Sequence, residues 1–120
     1  MLAKLKQEIA RVGRTASWSW TGFRATWVNE KSLRQWGVIN LISAFFVFYL
    51  PLSGGERAVL LALGLLILVV ELINTAIEET VDFISLERDP RAGRAKDAAS
   101  AAVAVTAIAG GLAWLVILFS

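Results

Sequence analysis

An all-α integral membrane protein, built from an N-terminal amphipathic surface helix and three transmembrane helices, is the fold that three features of the sequence predict. Hydrophobic residues make up 57% of the 120-residue chain and the mean hydropathy is +0.63, more apolar surface than a soluble domain can bury. Apolar residues near the N-terminus recur every three or four positions, whereas three later stretches are almost continuously apolar. One of those stretches runs directly into a cluster of carboxylates, ELINTAIEETVD, from Glu71 to Asp82.

Residues 1–34 form the surface helix. Leu2, Leu5, Ile9, Val12, Ala16, Trp20, Phe23 and Trp27 mark one face, and Lys4, Lys6, Arg11, Arg14 and Arg24 lie mostly elsewhere. Trp18, Trp20 and Trp27 beside basic residues suit the headgroup layer, where an indole buries its body and hydrogen-bonds its N–H. The poorer helix formers from Ser17 to Gly22 mark a candidate bend. No uninterrupted apolar core of signal length follows the basic residues, so a secretory signal is not expected.

The first span covers 36–52 and ends at Pro51 and the Ser53-Gly54-Gly55 turn. The second covers 57–84, with a cytoplasmic extension through the acidic stretch. Residues 86–97, in which Pro90 and Gly93 interrupt helix, form a cytoplasmic loop. The third span covers 98–119, rich in Ala and Gly that permit close helix–helix approach. Seven of the twelve basic residues precede the first span and four lie between the second and third. The N-terminus and the 86–97 loop are therefore expected in the cytoplasm and the C-terminus outside. Three spans bury little surface among themselves, so a homo-oligomer is expected, with sites shared between chains.

On a helix at 100° per residue, Glu71, Asn74, Thr75, Glu78 and Asp82 fall within roughly a 100° arc. The polar end of a membrane helix explains Glu79 and Asp82. It does not explain Glu71, which follows only thirteen apolar or Gly residues counted from Ala58, fewer than the ~20 that cross the hydrocarbon. An ionisable group at that depth costs several kcal/mol unless paired, protonated or hydrated, and so marks a site. The chain has no Cys and no His, which leaves carboxylates as its acid–base and metal-binding groups. Glu71 and Glu78 are two turns apart, about 10 Å along the axis, too far to share one ion. The spacing suggests that Glu78, nearer the cytosol, serves a hydrated cation and Glu71 a group presented by lipid. Mg²⁺ needs one or two carboxylates plus phosphates, and Glu30 is the candidate second carboxylate.

ELINTAIEETVD closely resembles the signature of the prokaryotic diacylglycerol kinase family. WSWTGFRATWVNEKSLRQ, the GRAKDAASAAV run and the three-span layout are similar to it in the same order, so the resemblance covers nearly the whole chain. It implies a homotrimeric enzyme of the bacterial cytoplasmic (inner) membrane that transfers the γ-phosphate of ATP, with Mg²⁺, to the hydroxyl of diacylglycerol, giving phosphatidic acid. No nucleic-acid partner is expected. A Gly-rich P-loop, GxxxxGK[ST], is absent. The resemblance implies Glu71 as catalytic base and Glu30 with Glu78 as metal-binding residues that also meet ATP. It further implies ATP contacts at Arg11, Trp18, Asn74, Glu87, Arg88, Asp89, Lys96 and Asp97, and lipid contacts at Trp20, Arg24, Trp27, Gln35, Glu71, Ser100 and Trp114.

Two positions depart from the family pattern. Trp36 follows Arg34-Gln35 where Glu is common, and Glu87-Arg88-Asp89 stands where an E-x-H pattern is common. Three other readings remain open. One is the same chemistry on undecaprenol, although the DAASAAV run is closer to the diacylglycerol form. Another is a small proton-coupled transporter using Glu71, which leaves Glu30, Lys96 and Asp97 unexplained. A third is a structural membrane subunit whose acidic stripe only pairs with a partner.

Overall fold

The computed structural model describes residues 1–120 and contains four helices and no strand: α1 (Leu2–Asn29), α2 (Lys31–Tyr49), α3 (Gly54–Ile84) and α4 (Pro90–Leu118). α3 is the central element, packed against α4 and α2, and α1 touches α2 and α3 only lightly. Two helices, α3 and α4, are long and apolar enough to cross a membrane. α2 carries Lys31, Arg34, Gln35 and Asn40 among its first ten residues, which confines its apolar run to its second half.

α1 has no buried residue, and every side chain up to Gly22 is exposed. The helix continues unbroken through Ser17–Gly22, where no bend of the hydrogen-bond ladder occurs. The hydroxyls of Thr15, Ser19 and Thr21 donate to carbonyls one turn back, at Arg11, Thr15 and Ser17, so these residues follow the helix instead of competing with it.

The break between surface helix and first span falls earlier than the 34/36 boundary expected from sequence. Glu30 is extended, at φ −113° and ψ 110°, and α2 begins at Lys31. The cause is a side-chain cap. Arg34 Nη1 donates to the carbonyls of Trp27 at 2.6 Å and Val28 at 2.9 Å, satisfying groups that the end of α1 leaves open. The same device closes α2, where Arg57 Nε donates to Val47 O at 3.0 Å and Nη2 to Leu50 O at 3.1 Å. Ser53 and Glu56 then form a capping box that starts α3.

The 86–97 loop is shorter than expected. Only residues 85–89 connect α3 to α4, and Arg91 to Asp97 are helical. Pro90 begins the helix and does not break it, because the first helical position needs no N–H. Asp89 caps it, accepting from the Arg91 backbone N–H at 2.8 Å. The Arg91 guanidinium, and then that backbone N–H, hold the Asp89 carboxyl below its ordinary value.

Glycines set the close approaches. A Cβ on the buried Gly37 would meet the Trp27 ring at 2.6 Å, and Trp27 is held in turn by stacking on Phe23, centroids 6.0 Å apart. A Cβ on Gly64 would collide with Asn40 Oδ1. At Gly111 a Cβ would meet nothing within 4 Å. Gly37→Ala is therefore expected to lower stability by about 1–3 kcal/mol through overpacking. Gly111→Ala is expected to be neutral or stabilising by up to about 1 kcal/mol through helix propensity. Thermal midpoints of the two variants in one detergent check the contrast, and equal midpoints would show that the Trp27–Gly37 contact carries no weight.

Candidate functional site

The carboxylate stripe folds as its periodicity requires. Glu71, Asn74 and Thr75 are buried in α3, at 4%, 9% and 8% exposure, and α2 and α4 flank that face. Glu71, Asn74 and Glu78 line an open cleft of about 1020 Å³, with Lys31, Arg34, Gln35 and Trp36 from α2 and Ser100 from α4. Asn74 Nδ2 donates to Glu78 Oε1 at 3.4 Å, a weak bond. Asn74 Oδ1 and Thr75 Oγ1 are buried without a hydrogen-bond partner. Glu71 lies within electrostatic range of both Glu78 and Glu30. Glu30 does not line the cleft; it is half-buried at the extended turn immediately before Lys31, which does.

Five residues proposed from the sequence therefore share this cleft: Gln35, Glu71, Asn74, Glu78 and Ser100, with Glu30 beside them. Lys31 and Arg34 are additions. Arg34 is committed to the α1 carbonyls, whereas Lys31 forms no ion pair. Their signal in the sequence was charge close after Glu30, which reads equally well as a solvated helix start. Chemically, the cleft offers carboxylates at two depths, one nearly dry and one half-buried, and a free ammonium group above an apolar floor.

Glu87, Arg88, Asp89 and Lys96 line a second pocket of about 470 Å³ where α3 ends and α4 begins. Lys96 is ion-paired with Asp82 across that gap, and Asp97 is exposed one residue further on. The remaining residues lie elsewhere. Arg11, Trp18, Trp20 and Arg24 are exposed on α1 and line neither space. Trp27 packs on Gly37, and Trp114 Nε1 donates to Ser43 Oγ at 3.0 Å, between α4 and α2.

A sequence profile of the prokaryotic diacylglycerol kinase family matches residues 17–118. The diacylglycerol kinase of Escherichia coli (strain K12) is 38% identical over 110 residues, covering 92% of this chain and 90% of that protein. The diacylglycerol kinase of Pseudomonas aeruginosa is 43% identical over 112 residues, covering 92% and 89%. That of Helicobacter pylori (strain 26695) is 36% identical over 104 residues, covering 87% and 81%. The matched region takes in the carboxylate stripe, the Glu30 turn and the cleft between α2, α3 and α4, and the chain belongs to the prokaryotic diacylglycerol kinase family.

Proposed function

We propose that the chain is an ATP-dependent diacylglycerol kinase that makes phosphatidic acid at the cytoplasmic face of the inner membrane. The observation that carries the reading is a nearly dry Glu71 in a cleft that also holds Glu78 and Lys31, with Glu30 the residue before Lys31. In this reading the acceptor oxygen attacks the γ-phosphorus, the bond from that phosphorus to the ADP oxygen breaks, and the hydroxyl proton passes to the Glu71 carboxylate. Phosphoryl transfer needs alignment and charge neutralisation more than covalent chemistry, and residues from all four helices supply both. Lys96 and the Glu87–Asp89 connection, with Arg11 and Trp18 of α1, take the nucleotide. Gln35 and Ser100 hold the lipid headgroup, and Trp20, Arg24, Trp27 and Trp114 anchor lipid at the two interfaces.

The donor set fits Mg²⁺. Glu30 and Glu78 are hard oxygen donors, and Asn74 Oδ1 is a buried oxygen without a partner. Bound there, Mg²⁺ supplies neutralisation of the phosphate oxygens.

The third span, the trimer and the orientation belong to the same proposal. α2 completes a three-span bundle when its apolar second half lies in the hydrocarbon and its charged start lies at the surface. A homotrimer is supported by the open side of the Glu71 cleft and by α1, none of whose residues is buried in its own chain. Eleven of the twelve basic residues lie on the side of α1 and the α3–α4 connection, the side that the positive-inside rule assigns to the cytoplasm.

Purified protein should move labelled phosphate from MgATP to diacylglycerol, and a preference for undecaprenol would reassign the acceptor. Glu71→Gln should retain folding and MgATP binding but lose at least ~10² in kcat; a stable, nucleotide-binding variant with near wild-type kcat would eliminate the base assignment. Glu78→Gln and Glu30→Gln should each raise the Mg²⁺ concentration needed for half-maximal rate, and unchanged titrations in both would remove them from the metal site. Single cysteines at Gly55 and Leu86, both exposed, should label from outside and from inside the cell respectively. Labelling of position 86 from outside would put the nucleotide site on the wrong side.

A further inference from the structure

A second space of about 250 Å³ lies between α2, α3 and α4, and it shares two walls, Trp36 and Ile39, with the Glu71 cleft. The two spaces therefore adjoin at Trp36 and Ile39 and lie one after the other along α3. Along α3 the groove follows Glu71, Ile67, Gly64 and Leu60, which are spaced three or four apart on one stripe. Glu71 to Leu60 is eleven residues, about 16 Å of helix, or about half of the ~30 Å hydrocarbon thickness. The groove thus begins at the buried carboxylate and ends at Leu60, three residues beyond Arg57 and toward the outer end of α3.

The lower segment has polar residues but offers a guest few free donors. Asn40 Nδ2 is bonded to Trp36 O at 2.9 Å, Thr106 Oγ1 to Ala102 O at 2.8 Å, and Trp114 Nε1 to Ser43 Oγ at 3.0 Å. Asn40 Oδ1 is turned against Gly64, where no side chain fits. With those three donors engaged and the Ser43 hydroxyl the one left over, the segment presents chiefly carbon. Its volume, that of about eight water molecules, suits part of one hydrocarbon chain and not a headgroup.

We infer that the lower segment seats one acyl chain of the acceptor lipid, and that Trp36, a wall of both spaces, is a specificity-determining residue that selects slim, unbranched chains. This rests on the lipid-kinase reading above and adds which residue grades the acceptors. Hydrocarbon outside the groove is as apolar as the groove itself, so seating gains little transfer free energy. Its effect is alignment: a chain held in the groove fixes the hydroxyl over Glu71, where a misplacement of about 1 Å can cost about 10² in rate.

The experiment compares kcat on three diacylglycerols in one mixed micelle, with dibutanoyl, dioleoyl and methyl-branched chains. Gly111→Leu plugs the lower segment, and its Cβ meets nothing within 4 Å. It should reduce the dioleoyl-to-dibutanoyl kcat ratio by about tenfold or more. Trp36→Ala should raise the branched-to-straight ratio by several-fold. If both ratios stay at the wild-type value while the wild type phosphorylates all three lipids, the groove assignment is overturned and the kinase reading stands. If the wild type transfers phosphate to none of them, the kinase reading fails and this inference fails with it. Gly111→Ala, measured beside Gly111→Leu, separates a plug from a packing defect: an equal drop in both variants overturns the plug.

Discussion

A carboxylate held nearly dry in an otherwise apolar helix is the constraint on which the rest of the structure depends. Glu71, at 4% exposure, sits at the end of a run that otherwise suits hydrocarbon. Such a group is tolerated only where protein groups or water replace lipid around it. α3 therefore has to turn the face carrying Glu71, Asn74, Thr75 and Glu78 toward α2 and α4, and the opposite face is left to lipid. The open cleft between α2 and α4 follows from that requirement: it leaves Glu78 half-buried, with a path to water. The buried oxygens of Asn74 and Thr75 without hydrogen-bond partners mark where this compensation is incomplete, and such groups concentrate at functional sites.

A second set of interactions keeps the cleft walls in register. Arg34 and Arg57 each reach back to the last carbonyls of the preceding helix. Open carbonyls at a helix end are costly where water is scarce, and a guanidinium that donates to two of them at once removes that cost while fixing the angle of the next helix. Arg34 in particular holds the turn that carries Glu30. A change that freed Arg34 would act on the cleft through Glu30 as well as through its own charge.

These particulars explain what the sequence disclosed. The stripe of Glu71, Asn74, Thr75 and Glu78 was legible because helical periodicity alone puts them on one face, and that face is the buried one. The four-helix order was legible from alternating apolar and polar stretches. The start of α4 was misread because Pro90 has opposite meanings at the first turn of a helix and in its interior, and only the Asp89 cap decides between them. The end of α1 was misread for a similar reason, since Arg34 lies seven residues beyond the carbonyl it caps and nothing in the local pattern links them. Lys31 and Ile39 as cleft walls depend on how α2 is rotated against α3, which composition does not encode.

The apolar surfaces of α2, α3 and α4 and the polar cleft ask for different surroundings. Exposed side chains such as Leu41, Phe45, Phe48, Leu65 and Val105 are at no disadvantage in hydrocarbon, so they need no protein partner. The cleft is the exception, because Glu71 and Glu78 open sideways into a space that lipid cannot fill without stranding their charge. Arg11 and Trp18, in turn, stand on the exposed first two-thirds of α1, outside every cleft of their own chain. A second copy whose α1 lay across the open side would answer both needs at once. It would close the cleft with polar and cationic groups and would give the otherwise unpacked α1 something to cover. The trimer in the proposal is thus favoured less by the apolar area left exposed than by a charged cleft that a single chain leaves open.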